Sequence, residues 1–546
     1  MRFALLAVWG LLSVLASFSQ CPDVWVNGIG APPDGSTAQA RLSVNYSNGK
    51  IYCSSQMAGS DSLVSGNIAI NVDASMVFPE VQHVCAMDTF GNTEWIRSIG
   101  AQSLLSNESS MTTDQFGNVY LLMTFYTDLH LPDTLLTTDN GNCMVTKFDS
   151  EGNRVWTEQF EGSAIPRSVW CNGKLSFAIA YYDEIEFSGS TYISDGESDF
   201  LLVWISSDGE VDQVKEIKGA GQSTVYDLSC IGQNTLVQGK FDQLLDFSGN
   251  VIGTLGETLF RSYQLFLDVD GDLVWNVVSS LHDVGTNVIQ ERAIQIDDRI
   301  VTVGQFGPSQ VSFGGEMILN SGGVDGFMFN QNISDGSSNW LKQFGSDGND
   351  YLMSIHRMDD NCLVSGKYSS SLINFEGGQV LNEYETVSQP LLFIVDTSGK
   401  FVCKKTIDDS PNQGGIAEIT LHNSLIYAGI DFESDRLLDE VTTVISGQRN
   451  LAVWRTCLEC DTLIGIEEQP NEALIEFYPN PTTGEVSIDL PNGVSATSLG
   501  VYDMLGKQVM ELAYRPTVNV SGLPKGNYII AVPTEERTYR QLLVVE

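Results

Sequence analysis

Cys143–Phe160, CMVTKFDSEGNRVWTEQF, decides the fold. It reads as an alternating apolar strand, a tight Asp149–Gly152 turn and a second strand carrying Trp156. Alternation on both sides of a glycine-containing turn signals a β-hairpin. The pattern returns at Val84–Arg97, where Asp88, Gly91 and Trp95 stand in register with Asp149, Gly152 and Trp156. It returns again at Tyr263–Val277 with Asp268, Gly271 and Trp275. Weaker copies occupy Phe200–Val211, Phe327–Trp340 and Leu391–Val402, and a last apolar strand, Asn450–Thr456, has no turn and tryptophan after it. Seven strands of one kind at a spacing of roughly sixty residues mark an internal repeat.

A second element interleaves with the first: a turn followed by a strand, as in Asn48-Gly49-Lys50-Ile51-Tyr52 and Phe116-Gly117-Asn118-Val119-Tyr120. It recurs at Asn172–Leu175, Gly232–Gly239, Asp297–Gln305, Asp360–Tyr368 and His422–Gly429. Between the two elements lies a short strand-like piece with Phe and Gly, as in Ile185–Gly189, Leu245–Gly249, Val311–Gly315 and Ile373–Gly377. Each repeat thus holds about four short strands joined by Gly, Asn and Asp turns, the content of one propeller blade. The last repeat lacks its tryptophan strand, and a strand of that kind stands alone at Val24–Gly30. Joining the two would close the ring and remove the sheet edges of an open array. A solenoid would need capping repeats, and none is visible. The expected fold is all-β, a seven-bladed β-propeller over 21–460. This body resembles the β-propeller repeats of secreted bacterial proteins, with their W…G, GNxY and FxG elements. The resemblance implies fold and says little about activity.

Of the 546 residues, 69 are acidic and 28 basic, a formal net charge of −41. Such a surface repels phosphate backbones and anionic headgroups, which excludes nucleic acid and membrane surfaces as natural partners. The excess acid suits solubility outside a cell. Arg2 followed by a short apolar run from Phe3 to Phe18 reads as a signal peptide over 1–20, too short to span a membrane. Gln20 before Cys21 departs from a lipoprotein signal, and no later stretch is long and apolar enough to cross.

The ten cysteines are Cys21, Cys53, Cys85, Cys143, Cys171, Cys230, Cys362, Cys403, Cys457 and Cys460. An even count in an exported chain points to disulfides, with connectivity left open. Ring closure would bring Cys21 near Cys457 or Cys460. Cys457-x-x-Cys460 has no second pair or nearby His to complete a metal site.

Composition changes after Cys460. An acidic linker, 461–473, leads into a new β pattern at 474–546. Its turn signals are Pro479-Asn480-Pro481 with Gly484, then Tyr502-Asp503 with Gly506-Lys507, then Leu523-Pro524 with Gly526 and Tyr528. About seven short strands between such turns make a small Ig-like β-sandwich. These three groups in order, with the closing strand Gln541–Val545, resemble the C-terminal (type A) sorting domain of the Bacteroidota type IX secretion system. The resemblance implies passage across the outer membrane by the type IX machinery. Removal of the domain commonly follows, with release of the body or its attachment to the surface.

The five histidines form no H-E-x-x-H pair, and no G-x-S-x-G elbow or P-loop occurs. With 69 acidic residues, chance proximity explains any carboxylate pair, so no catalytic residue and no cofactor is assigned. Asp268, Asp270 and Asp272 alternate around Gly271 as Ca²⁺ ligands do, but the loop lacks the closing bidentate Glu and repeats the turn at Asp149. Divergent inserts at Ala31–Ala40, Gly59–Pro79 and Asp431–Gly447 are the places where loops on a rigid scaffold would carry recognition. The expected function is a secreted or cell-surface binding or adhesion module for a polysaccharide or protein. The competing readings are an extracellular hydrolase or lyase using the central funnel, which convergent His, Arg or carboxylates would favour, and a structural surface-layer component.

Overall fold

The computed structural model describes residues 25–30, 43–58, 62–65, 68–71, 80–101, 104–131, 133–138, 142–253, 255, 259–280, 287–376, 378–382, 387–405, 414–422, 425–432, 436–438, 441–443, 450–457, 476–489, 496, 498–503, 507–533 and 538–545. The expected signal peptide, the linker, Cys21, Cys460, His282 and Gly506 lie outside them, as does most of the three inserts. The chain divides into two compact units, Met1–Leu463 and Ile464–Glu546. Both are all-β among the described residues.

Among the described residues the larger unit holds seven antiparallel sheets with a common core of four strands, three of them extended to six, beside separate two-stranded hairpins. The third is typical: Ser163–Cys171, Lys174–Tyr181, Asp199–Ser206 and Val211–Gly219 pair in chain order. The first strands of the sheets are Ser43–Ser47, Leu104–Thr113, Ser163–Cys171, Ser223–Ile231, Val288–Ile296, Asp350–Met358 and Gly414–His422. Each touches the next, and the last touches the first. The seventh sheet takes Gly414–His422, Leu425–Phe432 and Asn450–Cys457 from late in the unit. Its fourth strand is Trp25–Gly30, whose residues Trp25 to Ile29 pair with Arg455 to Leu451.

The Phe-Gly piece is not one of the four strands, as the sequence reading had it. It opens a separate hairpin. In three repeats that hairpin continues the preceding sheet outward: Leu245 to Phe247 pair with Gly219 to Ile217, Leu129 and His130 with Ala101 and Gly100, and Val64 and Ser65 with Gly30 and Ile29. Each such outer edge is thereby covered. The first strand of each sheet, which sequence reasoning overlooked, makes up the count of four.

Packing follows from the layers. A sheet facing another on both sides buries both faces of its central strands, so DFLLVWIS at Asp199–Ser206 is buried at all but its last residue. Apolar clusters fill each junction between neighbouring sheets. Tyr427 and Val453 of the seventh sheet share one with Val44, Ile51 and Met87 of the first.

The recurring Trp, Asp and Gly have one mechanical explanation. Asp149 Oδ1 accepts the N–H groups of Glu151 and Asn153 at 3.0 and 2.8 Å, fixing the turn. That turn is gripped by the tryptophan of the preceding repeat: Trp95 Nε1 donates to Ser150 O at 2.9 Å. Trp156 does the same to Ser207 O, Trp275 to Ile333 O and Trp340 to Thr397 O, at 3.0, 2.8 and 3.1 Å. Where the third repeat has Gln213 in place of Trp, its side-chain amide donates to Asp270 O.

Two disulfides have both partners among the described residues. Cys53–Cys85 ties opposed positions of the second and third strands of the first sheet, and Cys171–Cys230 ties the first strands of the third and fourth sheets. Cys403 is also disulfide-bonded. Cys143 and Cys362 are buried free thiols, which corrects the expectation that all ten cysteines pair. Both stand on strands packed into apolar clusters, Cys143 among Tyr120, Val145 and Phe177, and Cys362 among Val364 and Phe393. They are core residues of small apolar character.

In the smaller unit, Glu476–Tyr478, Glu485–Asp489 and Thr517–Asn519 form one sheet. Gln508–Ala513, Ser498–Asp503, Gly526–Pro533 and Thr538–Val545 form the other. Val486, Ile488 and Val518 of the first share a core with Val501, Ile530 and Leu543 of the second. The turn residues singled out in the sequence anchor these sheets. Asn480 Oδ1 accepts Val544 N–H at 2.8 Å, Val520 N–H donates to Gly484 O at 2.6 Å, and the Tyr528 hydroxyl donates to Pro524 O at 2.8 Å. Pro479, Pro481 and Lys507 are exposed. Tyr502 pairs through its backbone with Gln508 and Ile529, and Asp503 with Tyr528.

Candidate functional site

The seven first strands are short on apolar alternation and rich in polar residues: SVNYS, STVYDLSCI, VIQERAIQI. Six of them carry a register shift against the second strand, between Leu104/Ser109, Ala164/Ser168, Val225/Asp227, Gln290/Arg292, Leu352/Ser354 and Ile416/Glu418. A bulge re-aims the side chains beside it. Here those side chains meet in a cavity of about 120 Å³ to which every first strand contributes, among them Asn45, Ser110, Arg167, Asp227, Arg292, Met353 and Glu418.

Two arginines and three carboxylates meet there. Arg167 Nη2 lies 3.0 Å from Glu291 Oε2, and its Nε lies 3.5 Å from Asp227 Oδ1. Asp227 Oδ2 accepts the Ser229 hydroxyl at 2.5 Å, and Gln305 Nε2 donates to Glu291 Oε1 at 3.2 Å. Arg292 Nη2 lies 2.6 Å from Glu418 Oε1, and Glu418 Oε2 accepts Val44 N–H at 3.2 Å. The network therefore straps the third, fourth and fifth sheets together, and separately the fifth, seventh and first. Burial pushes the Asp227 carboxyl above its usual range, opposed by Arg292 and Arg167. Burial works against the charge of Arg292, but Glu418 and Asp227 outweigh it and hold that guanidinium more firmly protonated.

His356, on the sixth first strand, is pushed down to about 4 by burial and by Arg292, so it is neutral near pH 7. His83 is likewise lowered to about 4 by burial, its Nδ1 2.9 Å from the Ser98 hydroxyl. His422 stacks on Tyr46 at 3.9 Å, and His130 sits on an outer hairpin. No histidine lines the cavity among the described residues.

Asp268, Asp270 and Asp272 occupy a turn of the Asp149 type. Asp268 Oδ1 accepts the N–H groups of Asp270 and Asp272 at 3.0 and 2.9 Å, and Asp272 Oδ1 lies 2.8 Å from Lys215 Nζ. No group of three or more metal-holding side chains occurs among the described residues. The axial charges were missed because they show only when repeats are aligned on their first strands: Pro166-Arg167, Tyr226-Asp227, Glu291-Arg292 and Ala417-Glu418 then fall at related positions.

Residues 476–546 match the model of the Secretion system C-terminal sorting domain. The chain is accordingly a secreted or cell-surface protein, with a tail that engages secretion machinery. Among the described residues no helix is long and apolar enough to cross a membrane. None of the curated proteins matches the chain significantly. Among solved structures it is similar to the full extracellular region of plexin A4, at TM-score 0.37 and 9% identity over 96% of this chain and 62% of that one. It is also similar to the quinohemoprotein alcohol dehydrogenase of Comamonas testosteroni, at TM-score 0.35 and 8% identity over 83% and 79%. A third similarity is to the extracellular domain of a putative hybrid two-component system of B. thetaiotaomicron, at TM-score 0.27 and 11% identity over 93% and 68%.

Proposed function

We propose that this chain is a seven-bladed β-propeller with an Ig-like C-terminal domain, exported by a type IX secretion system in a Bacteroidota cell, that works as a binding or adhesion module. The N-terminal signal peptide would start that route and the C-terminal domain would complete it. The observation that carries the binding reading is the state of the axis. Its charged groups are tied to one another, and the space they leave, about 120 Å³, is below the roughly 300–1,000 Å³ of ordinary small-molecule sites. Recognition then falls to the rims and inserts, where a polysaccharide or protein ligand can lie across several repeats. Phe90 and Phe116, 68% and 66% exposed at turn tips, are aromatic surfaces of the kind that pack on such ligands.

The reading is tested by applying the purified protein to an array of bacterial, algal and host glycans and to extracellular-matrix proteins, beside the Phe90→Ala and Phe116→Ala variants. Saturable binding to a defined ligand class supports it. Turnover of an array polysaccharide, lost in Asp227→Asn, would replace it with the hydrolase reading. One observation favours that second reading: Asp227 is a fully buried carboxyl, raised by burial, beside Arg167 in a cleft.

A further inference from the structure

The junction between the fifth and sixth sheets repeats that between the third and fourth, with one change of chemistry. At the earlier junction Asp199 opens a third strand and is fully satisfied. Its Oδ2 accepts Asp195 N–H at 2.8 Å and its Oδ1 accepts Gly219 N–H at 2.7 Å. The next first strand opens on Ser223, whose hydroxyl donates to Ser198 O at 3.1 Å. At the later junction the strand pairing places Asp325 where Asp199 stands, Ser346 where Gly219 stands, and Asp350 where Ser223 stands.

Asp325 Oδ2 keeps its counterpart contacts, accepting Ser321 N–H at 2.7 Å and Gln343 Nε2 at 2.9 Å. Its Oδ1 has lost its donor, because Ser346 N–H goes to Asp350 Oδ2 at 3.1 Å instead. Asp325 is 0% exposed, and its Oδ1 accepts no hydrogen bond. Asp350, 1% exposed, accepts Ser369 and Ser370 N–H on Oδ1 at 3.2 Å each, and the Ser370 hydroxyl on Oδ2. A methyl group added to Gly345 would collide with both Asp325 Oδ1 and Asp350 Oδ2, so the two oxygens converge on the space over that glycine.

Two buried carboxylates facing one another cannot both keep a full charge without a counterion. None is at hand. No lysine or arginine pairs with either among the described residues: Lys342 is held by Glu376 at 2.7 Å, and Lys367 lies 5.0 Å over the Tyr351 ring. Asp347, in the same loop, is spent on Ser371. Tyr351, raised by burial and by Asp350, stays a neutral phenol and adds no charge to the pair. Donors already crowd Asp350, which leaves its oxygens little freedom to wrap a metal ion, whereas a single proton needs only Asp325 Oδ1 as its seat.

We propose that this junction is a proton-binding site, in which Asp325 carries a proton on Oδ1 and donates it to Asp350 Oδ2, joining the fifth and sixth sheets by a carboxyl–carboxylate hydrogen bond. Burial raises both carboxyls, and for Asp325 the Asp350 charge raises it further. A carboxyl raised in the folded state contributes stability that is fully present below the unfolded carboxyl pKa and lost as pH rises through the folded one. Release of the proton to solvent leaves two anions across the junction, and the sheets loosen there.

The test is equilibrium unfolding of the full chain across pH 4–9 for the parent, Asp325→Asn and Asp350→Ser. Asn supplies a permanent N–H in place of the proton, and Ser restores the arrangement of the third and fourth sheets. The parent should lose folding equilibrium constant relative to both variants by up to about tenfold per pH unit within the titration window. Infrared spectroscopy of the folded parent at pH 6 should show a protonated-carboxyl band that Asp325→Asn lacks. Parallel pH profiles for parent and variants, or no such band, would overturn the proposal. So would a rise in melting temperature on adding Ca²⁺ that disappears in Asp325→Asn, which would make the occupant a metal ion.

Discussion

Replacing Gly152 with Ala tests the grip of each tryptophan on the next repeat. Gly152 sits at φ +77°, and a Cβ there would lie 2.6 Å from Trp95 Cδ2. Two costs follow. Left-handed backbone costs an L-residue about 1–2 kcal/mol. Forcing a methyl against a ring that is 7% exposed adds about 1–3 kcal/mol, the usual cost of overpacking a core. Gly173 supplies the control, because its φ is +78° with nothing within 4 Å of the added Cβ. Gly173→Ala should therefore lose only the backbone share. The assay is denaturant unfolding of the two variants and the parent, read as midpoint shifts at constant slope. In a Trp95→Ala background the extra penalty of Gly152→Ala should vanish, since the two sites are in contact. Equal losses in Gly152→Ala and Gly173→Ala would show that the tryptophan does not clamp the turn.

Other consequences are equally direct. His83, buried, and His356, half-buried, both neutral with folded pKa values near 4 against about 6.5 unfolded, contribute stability that is present above pH 6.5 and lost as pH falls toward 4, about 3 kcal/mol for His83 and less for the partly exposed His356; His83→Gln should flatten that acid limb of the melting curve. Cys143 is pushed up by burial and Cys362 is pushed up to about 12, so both should resist iodoacetamide at pH 8 in the native protein and react fully in guanidinium, as peptide mass spectrometry would show. Reducing Cys171–Cys230, which closes a 59-residue separation, should cost about 4 kcal/mol, measurable as a drop in melting temperature reversed by reoxidation. Glu418→Ala leaves Arg292 facing the cavity without its partner and should cost about 1–3 kcal/mol, less than for a wholly buried pair because the arginine side chain is 33% exposed; Arg292→Met with Glu418→Leu should recover most of it.

The repeat was legible because the turn chemistry is local: Asp149, Gly152 and Trp156 recur as a set, and each set is one clamp. The closing strand was legible for the same reason, since Trp25 stands where the last repeat lacks its tryptophan. The first strands were not. One edge of each pairs with the second strand while the other borders the polar cavity, and bulges at positions such as Tyr226 and Glu291 break the period of two on which strand reading depends. Arg167, Asp227 and Glu418 were thus invisible as a group, because 60 to 126 residues of apparent loop and strand separate the partners Arg167–Asp227, Arg167–Glu291 and Arg292–Glu418, which only the packing of the sheets brings together. Cysteine parity misled at Cys143 and Cys362, where a thiol serves as a small apolar core residue.

Residues 476–546 mark the chain for export from the cell. The most direct measurement is fractionation of native cells that express the full chain or a version ending at residue 475, with intact-mass and terminal sequencing of the protein in each fraction. The account predicts the full-length product in the medium or on the outer surface, starting near Gln20 and ending near the 461–473 linker, with the truncated version held in the periplasm. Equal release of both versions would contradict it.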